Sequence, residues 1–387
     1  MGLSKQLILN SLSQIVPFGL NIYIVNLIGF DSFGEYAFYS SFYFITAVLV
    51  TLRLEHTFFS LNNNLNEALN NSISTIVYVS IFLISIISIY CFIKEDYNYL
   101  ISIIIGAQVG FYEVFKNYLI KINKLSLVTI CRFINATIPL LLIIVLNKVF
   151  EPILSHFIGT LIITFIYIFY LKEAQIIKIK ALIIFLKKNK KFIQFSLPSG
   201  LISVISGQLP ILLTKSIFGE YYTGILSFLI RILGAPISLV SLTILDFFKN
   251  EGHNEIKLTK AIKHTFIKYS KILFFASVFI FVGFLVFKDF GFKLLLKNGL
   301  NIEDVLTYSK ILIFLFCIRL TVSPLSYIIF MLEKQELDLY WQILNIVFVL
   351  FSFLAFTTFK DSIISYTVLG VFSYIIYYYQ LKKISKN

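Results

Sequence analysis

Residues 71–93 read NSISTIVYVSIFLISIISIYCFI, and none of them is charged. About 20 apolar residues in a helix rising 1.5 Å each cross a hydrocarbon core about 30 Å thick. Such a stretch is too long and too apolar for an ordinary core helix, so it reads as a membrane span.

Runs of the same kind recur along the whole chain. They lie at about 7–29, 35–59, 71–93, 97–119, 125–146, 150–171, 193–217, 221–248, 271–291, 306–331, 338–359 and 362–381, which makes twelve. The first follows a single Lys and reads as an uncleaved span. Of the 387 residues, 58% are hydrophobic and 14% are charged. A soluble chain carries about a quarter charged residues. The composition therefore excludes a soluble enzyme, a nucleic-acid-binding domain, a disordered chain and a soluble domain with one anchor. The expected fold is an all-α polytopic membrane protein.

The net charge of +13 rests on 29 Lys and 4 Arg. With the N-terminus inside, 21 Lys fall on inside segments and 7 on outside segments. That bias is the positive-inside pattern and predicts cytoplasmic termini. Seven of the inside Lys lie in one linker, KEAQIIKIKALIIFLKKNKKF, at 172–192. Its apolar middle is too short to span, so it reads as an interfacial helix on anionic phospholipids.

The linker divides the chain into a bundle at 1–171 and another at 193–387, with six spans each. Phe33-Gly34-Glu35-Tyr36 recurs as Phe218-Gly219-Glu220-Tyr221, at the same outside turn of each half. At that offset, span one overlays span seven. Six spans per half keep equivalent helices in one orientation, which is a parallel repeat around a central cavity and a common transporter plan.

All four Arg lie inside spans: Arg53, Arg132, Arg231 and Arg319. Charge at membrane depth is costly, and arginine differs from lysine in its fixed charge and bidentate fork. Glu113 and Asp246 are the carboxylates that could pair with them or couple to an ion. One reading makes the Arg groups a cationic cavity for an anion, above all phosphate. The other makes them helix-locking partners of Glu113 or of backbone carbonyls. Glu55 and His56, at the inner end of span two, read as solvated. Pro236 follows Arg231 by five residues and Pro324 follows Arg319 by five, so both read as gating kinks. Gly106 and Gly110 form a GxxxG pair for close packing. Cys91, Cys131 and Cys317 lie in apolar runs without disulfide or metal spacing. No metal, cofactor or catalytic constellation is expected.

Two segments carry a family resemblance. FSLPSGLISVISGQLPILLTKSIFGEYYTGILSFLIRILGAPISLVSLTILDFFKN at 195–250 resembles the polysaccharide and O-antigen flippases. RLTVSPLSYIIFMLEKQ at 319–335 is similar to a late span of the same family. These flippases belong to the multidrug/oligosaccharidyl-lipid/polysaccharide exporter superfamily. The resemblance implies two six-helix bundles around a cavity and transport of an undecaprenyl-diphosphate-linked oligosaccharide across the bacterial inner membrane. It places Arg231 and Arg319 in the matching motifs. It also leaves room for other polysaccharide-assembly membrane proteins as partners, and implies no nucleic acid.

Two rival readings stand beside it. A drug or cation exporter of the same fold would want more acid than base in its lumen. A membrane polymerase or ligase would want a larger outside loop than about 292–305.

Overall fold

The computed structural model describes residues 3–59, 64–171, 174–190, 192–259, 261–297, 299–332 and 334–386. It describes the backbone alone at 3–11, 59, 192, 246, 257, 259 and 335. Among the described residues, eleven helices are long and apolar enough to cross a membrane.

The first, α1 (Leu3–Thr51), is two spans in one. A straight helix of 49 residues would be about 70 Å long, more than twice the hydrocarbon core. Gly29 breaks it, with φ 80° and ψ 175°. That region is essentially closed to residues with a Cβ. The expected twelve crossings are therefore present, with the first two joined at Gly29.

The other elements of the first half are α2 (Leu65–Lys94), α3 (Asn98–Lys121), α4 (Leu125–Leu146), α5 (Pro152–Tyr170) and the short α6 (Ile179–Lys188). The second half has α7 (Leu197–Phe218), α8 (Glu220–Thr259), α9 (Lys263–Leu295), α10 (Ile302–Val322), α11 (Ile328–Met331), α12 (Gln335–Leu354) and α13 (Phe359–Ile384). A 3₁₀ turn at Leu54–Phe59 follows α1, and another at Ser323–Tyr327 joins α10 to α11.

Several expected bounds move; α2 begins at Leu65 and α8 runs on to Thr259. Span two stops at Thr51 because Leu52 and Arg53 both take positive φ, at 48° and 60°. Span nine starts eight residues earlier than expected, because Lys263, Lys268 and Lys271 are already helical.

The repeated Phe-Gly-Glu-Tyr motif has two different backbones. In the second half Gly219 itself turns the chain, with φ 87°. In the first half Gly34 is helical, and the break sits five residues earlier at Gly29.

The chain divides into two compact units, 1–28 with 35–208, and 29–34 with 209–387. The 172–192 linker lies wholly within the first. In that unit, α3 packs through Gly106 and Gly110 on α1: a Cβ on Gly106 would stand 2.5 Å from Thr46, and one on Gly110 2.7 Å from Val50. The expected close helix packing is there. Val50, Leu69, Phe115, Cys131 and Tyr167 share one core below it.

The linker is stitched to α2. The Gln175 amide donates to the Asn70 side chain, the Ile177 amide donates to Ser74 Oγ, and the Tyr78 hydroxyl donates to the Ile177 carbonyl. These α2 residues are spaced i, i+4, i+8, on one helix face. Beyond them α6 buries Leu182 and Phe185 and exposes Ile179, Ile183 and Ile184, an amphipathic arrangement.

In the second unit α10 is central, packed by α8, α9 and α13. Half of its best apolar window is buried. Helix α8 has 40 residues and measures about 60 Å, so its polar end from Lys249 onward projects past any single span.

Candidate functional site: an arginine-lined cavity in the second unit

Helix α10 carries Arg319 three residues before its end at Val322. There Pro324 has no N–H to donate to the Leu320 carbonyl, and the chain tightens into the 3₁₀ turn. Helix α8 carries Pro236 in its interior, which likewise leaves the Ile232 carbonyl without its helical donor. Between these two interruptions lies a cavity of about 370 Å³. Its wall includes Arg319, Ser323, Gly234, Ser238 and Ser241. Gly234 and Ser238 flank Pro236, and Ser323 precedes Pro324.

The Arg319 side chain is exposed to this space, and among the described residues no carboxylate lies within ion-pair distance of it. A guanidinium supplies a planar fork of donors, and serine hydroxyls donate or accept as needed. Together they suit a doubly charged oxyanion such as a phosphate. Arg319 lines this cavity, and Pro236 and Pro324 are sequence neighbours of its lining residues.

Arg231 lies on the same face of α8, one turn before Gly234. Its guanidinium stands 4.9 Å from the centroid of the fully buried Phe33 ring. A cation over an aromatic face at this distance is attracted by the ring quadrupole. Arg231 is not among the residues lining the cavity. Asp246 lies further along α8, and its side chain is outside the described residues.

The first unit holds the other candidates. Arg53 sits on its left-handed backbone just beyond α1, with a guanidinium nitrogen 3.7 Å from Glu55 Oε1. His56 Nε2 is 3.8 Å from the same oxygen. Glu55 is not solvated, contrary to the sequence reading: its side chain is only 4% exposed. The 3₁₀ turn folds it inward, and among the described residues its Oε2 has no hydrogen-bond partner. Burial pushes the His56 imidazole below its ordinary pKa, and Glu55 opposes that shift. Gly200 completes the cluster, since a Cβ there would lie 2.8 Å from Arg53 Nε.

Glu113 pairs with Lys116 at 2.5 Å, one turn along α3, so the ion pair that Arg53 makes is with Glu55. Arg132 on α4 is exposed, close to Tyr112 of α3.

Arg53 thus has the geometry of the helix-locking alternative. Arg53→Ala leaves Glu55 buried beside an imidazole whose pKa burial lowers. The expected cost is up to about 3 kcal/mol, at the low end for buried pairs because Arg53 is about a third exposed. The variant should be depleted from membranes, and Arg53→Ala with Glu55→Gln should recover. Quantifying folded protein by size-exclusion of tagged variants checks this. Equal depletion of single and double variants would contradict the pairing.

The sequence did not reveal Glu55 or the serines. A signal for the serines exists: Gly234, Ser238 and Ser241 fall at i, i+4, i+7 on an otherwise apolar helix. For Glu55 there is none, because its burial depends on the positive-φ turn before it.

No protein-family model and no characterised protein sequence matches the chain. Solved structures do. Lipid II flippase MurJ in an inward closed conformation aligns over 98% of this chain and 90% of its own, with a TM-score of 0.78 and 12% identity. An inward-facing multidrug resistance MATE family transporter of the MOP superfamily aligns over 100% and 96%, with a TM-score of 0.59 and 12% identity. A MOP superfamily transporter from Pyrococcus furiosus aligns over 97% and 95%, with a TM-score of 0.57 and 10% identity. At these identities the likeness is one of fold: the chain has the multi-span helical architecture of MOP superfamily transporters.

Proposed function

We propose that the protein is a flippase for an undecaprenyl-diphosphate-linked oligosaccharide, working by alternating access in the bacterial inner membrane. The observation that carries this reading is the Arg319 cavity. It has a fixed cation, three serines and two proline-interrupted helices around one space, and among the described residues no carboxylate lines it. A drug or cation exporter would need the opposite charge there. The diphosphate is the anion, Arg319 binds it directly, and Arg231 adds positive potential from one turn away on α8. Arg132 adds cationic character within the first unit, where Arg53 is paired with Glu55. Pro236 and Pro324 are where α8 and α10 bend as the cavity changes its side of access. The broad likeness to a lipid II flippase supports a lipid-linked substrate.

Cells lacking the protein should accumulate the full-length diphosphate-linked oligosaccharide on the inner leaflet, with its polymer absent from the surface. Accumulation of a transported but unpolymerised unit on the outer leaflet would instead indicate a polymerase.

In this reading both termini and the 172–192 linker are cytoplasmic, with α6 on anionic phospholipid headgroups. Lys187 is an exposed probe of the linker, whereas Asn189 is buried and bonded to the Phe185 carbonyl. Lys187→Cys should label only with membrane-permeant thiol reagents in intact cells. Labelling by an impermeant reagent would reverse the topology.

A further inference from the structure

A second cavity, of about 480 Å³, lies further along the same two chain segments. Lys249, Asn250 and His253 of α8 line one wall, and Tyr327, Phe330 and Met331 line the other. Lys249 is seven residues beyond Leu242 of the Arg319 cavity, about 10 Å along the helix axis. Tyr327 is four residues beyond Ser323. The two cavities therefore follow one another along α8, with the second on its projecting polar end. With the Lys-rich ends cytoplasmic, a substrate from the cytoplasm meets the second cavity first.

The groups in it differ from those around Arg319. The Lys249 ammonium lies 4.3 Å from the centroid of the Tyr327 ring. Tyr327 and Phe330 have ring centroids 5.7 Å apart. Asn250 and His253 are exposed beside them. Aromatic faces take the apolar faces of a sugar ring, and an amide takes its hydroxyls from both donor and acceptor sides. A lysine and an imidazole add charge-assisted donors for a carboxylate. Two described carboxylates nearby on α8 are engaged elsewhere. Glu251 holds Lys268 at 2.6 Å, and Glu255 accepts from the amides of His264 and Thr265 that start α9.

We infer that Lys249, Asn250, His253, Tyr327 and Phe330 form a sugar subsite for an acidic, carboxylate-bearing residue of the glycan, separate from the anion site at Arg319. This rests on the flippase reading for its place in transport, but its binding chemistry can be tested alone.

The purified full chain in detergent is titrated by calorimetry with glucuronate, glucose and inorganic pyrophosphate. Wild type should bind glucuronate about tenfold tighter than glucose, the margin of one charge-assisted contact. Lys249→Ala with His253→Ala should erase that margin, and Lys249→Arg should keep it, which excludes a folding defect as the cause. Pyrophosphate binding should survive the double variant and fall on Arg319→Ala. Equal affinity of wild type for glucuronate and glucose would overturn the subsite, as would loss of pyrophosphate binding in the double variant. Indifference of pyrophosphate to Arg319→Ala would instead overturn the diphosphate reading and leave the sugar subsite standing.

Discussion

Gly224→Ala should remove the folded protein from the membrane. Gly34 and Gly224 face each other where residues 30–34 cross the first turn of α8. An added Cβ on Gly224 would stand 1.9 Å from the Phe30 carbonyl oxygen, and one on Gly34 would stand 2.0 Å from that of Glu220. Both clashes are with backbone, so no side chain can rotate to relieve them. Overpacking costs about 1–3 kcal/mol where side chains yield. Here the cost should reach or exceed the top of that range, enough to depopulate a marginally stable fold. Gly283 is the control: nothing lies within 4 Å of its Cβ position, so Gly283→Ala should be tolerated. Folded yield and thermal midpoint of the tagged variants report the difference. Wild-type values for Gly224→Ala would mean that this crossing does not exist.

That crossing shows how far the sequence could be read. The spans were legible because a helix in lipid must be apolar along its whole length, so twelve runs stood out wherever charges stopped. The repeat of Phe-Gly-Glu-Tyr marked the turn at Gly219 in the second half and lay a few residues past the break at Gly29 in the first. It could not show that Gly34 is helical and serves close approach while Gly219 turns the chain. Both roles demand glycine, and only the three-dimensional neighbours distinguish them.

Arg319 was legible because a charge inside an apolar run is conspicuous. Its cavity was legible only in part, since the prolines announced broken helices and the serines were ordinary span residues. Glu55 was misread because a residue at a span's end is usually wet. The left-handed turn at Leu52 and Arg53, which folds it inward, has no signature in residue type. The sequence offered Glu113 or backbone carbonyls as partners for the Arg groups, and in the structure Glu113 pairs with Lys116 while Arg53 lies beside Glu55.

Arg319 should separate from Arg53 by the kind of damage its loss causes. Among the described residues it has no ion-pair partner, so its truncation strands no buried charge. Arg319→Ala should insert and fold normally while transport falls about 10–100-fold, the equivalent of one lost charge-assisted contact worth about 1.5–3 kcal/mol. Arg319→Lys retains the charge and loses the fork, so it should retain part of the activity. Arg319→Glu should be inactive, since a carboxylate in a weakly screened cavity repels a diphosphate.

The decisive measurement is flipping of an undecaprenyl-diphosphate-linked oligosaccharide in proteoliposomes that hold wild type or one of these three variants at equal density. The fraction of lipid exposed to an impermeant glycan-modifying reagent gives the rate. The anionic-cavity account predicts rates in the order wild type, Lys, Ala, with Glu at or below Ala. A Glu variant that flips as fast as the Lys variant would contradict it.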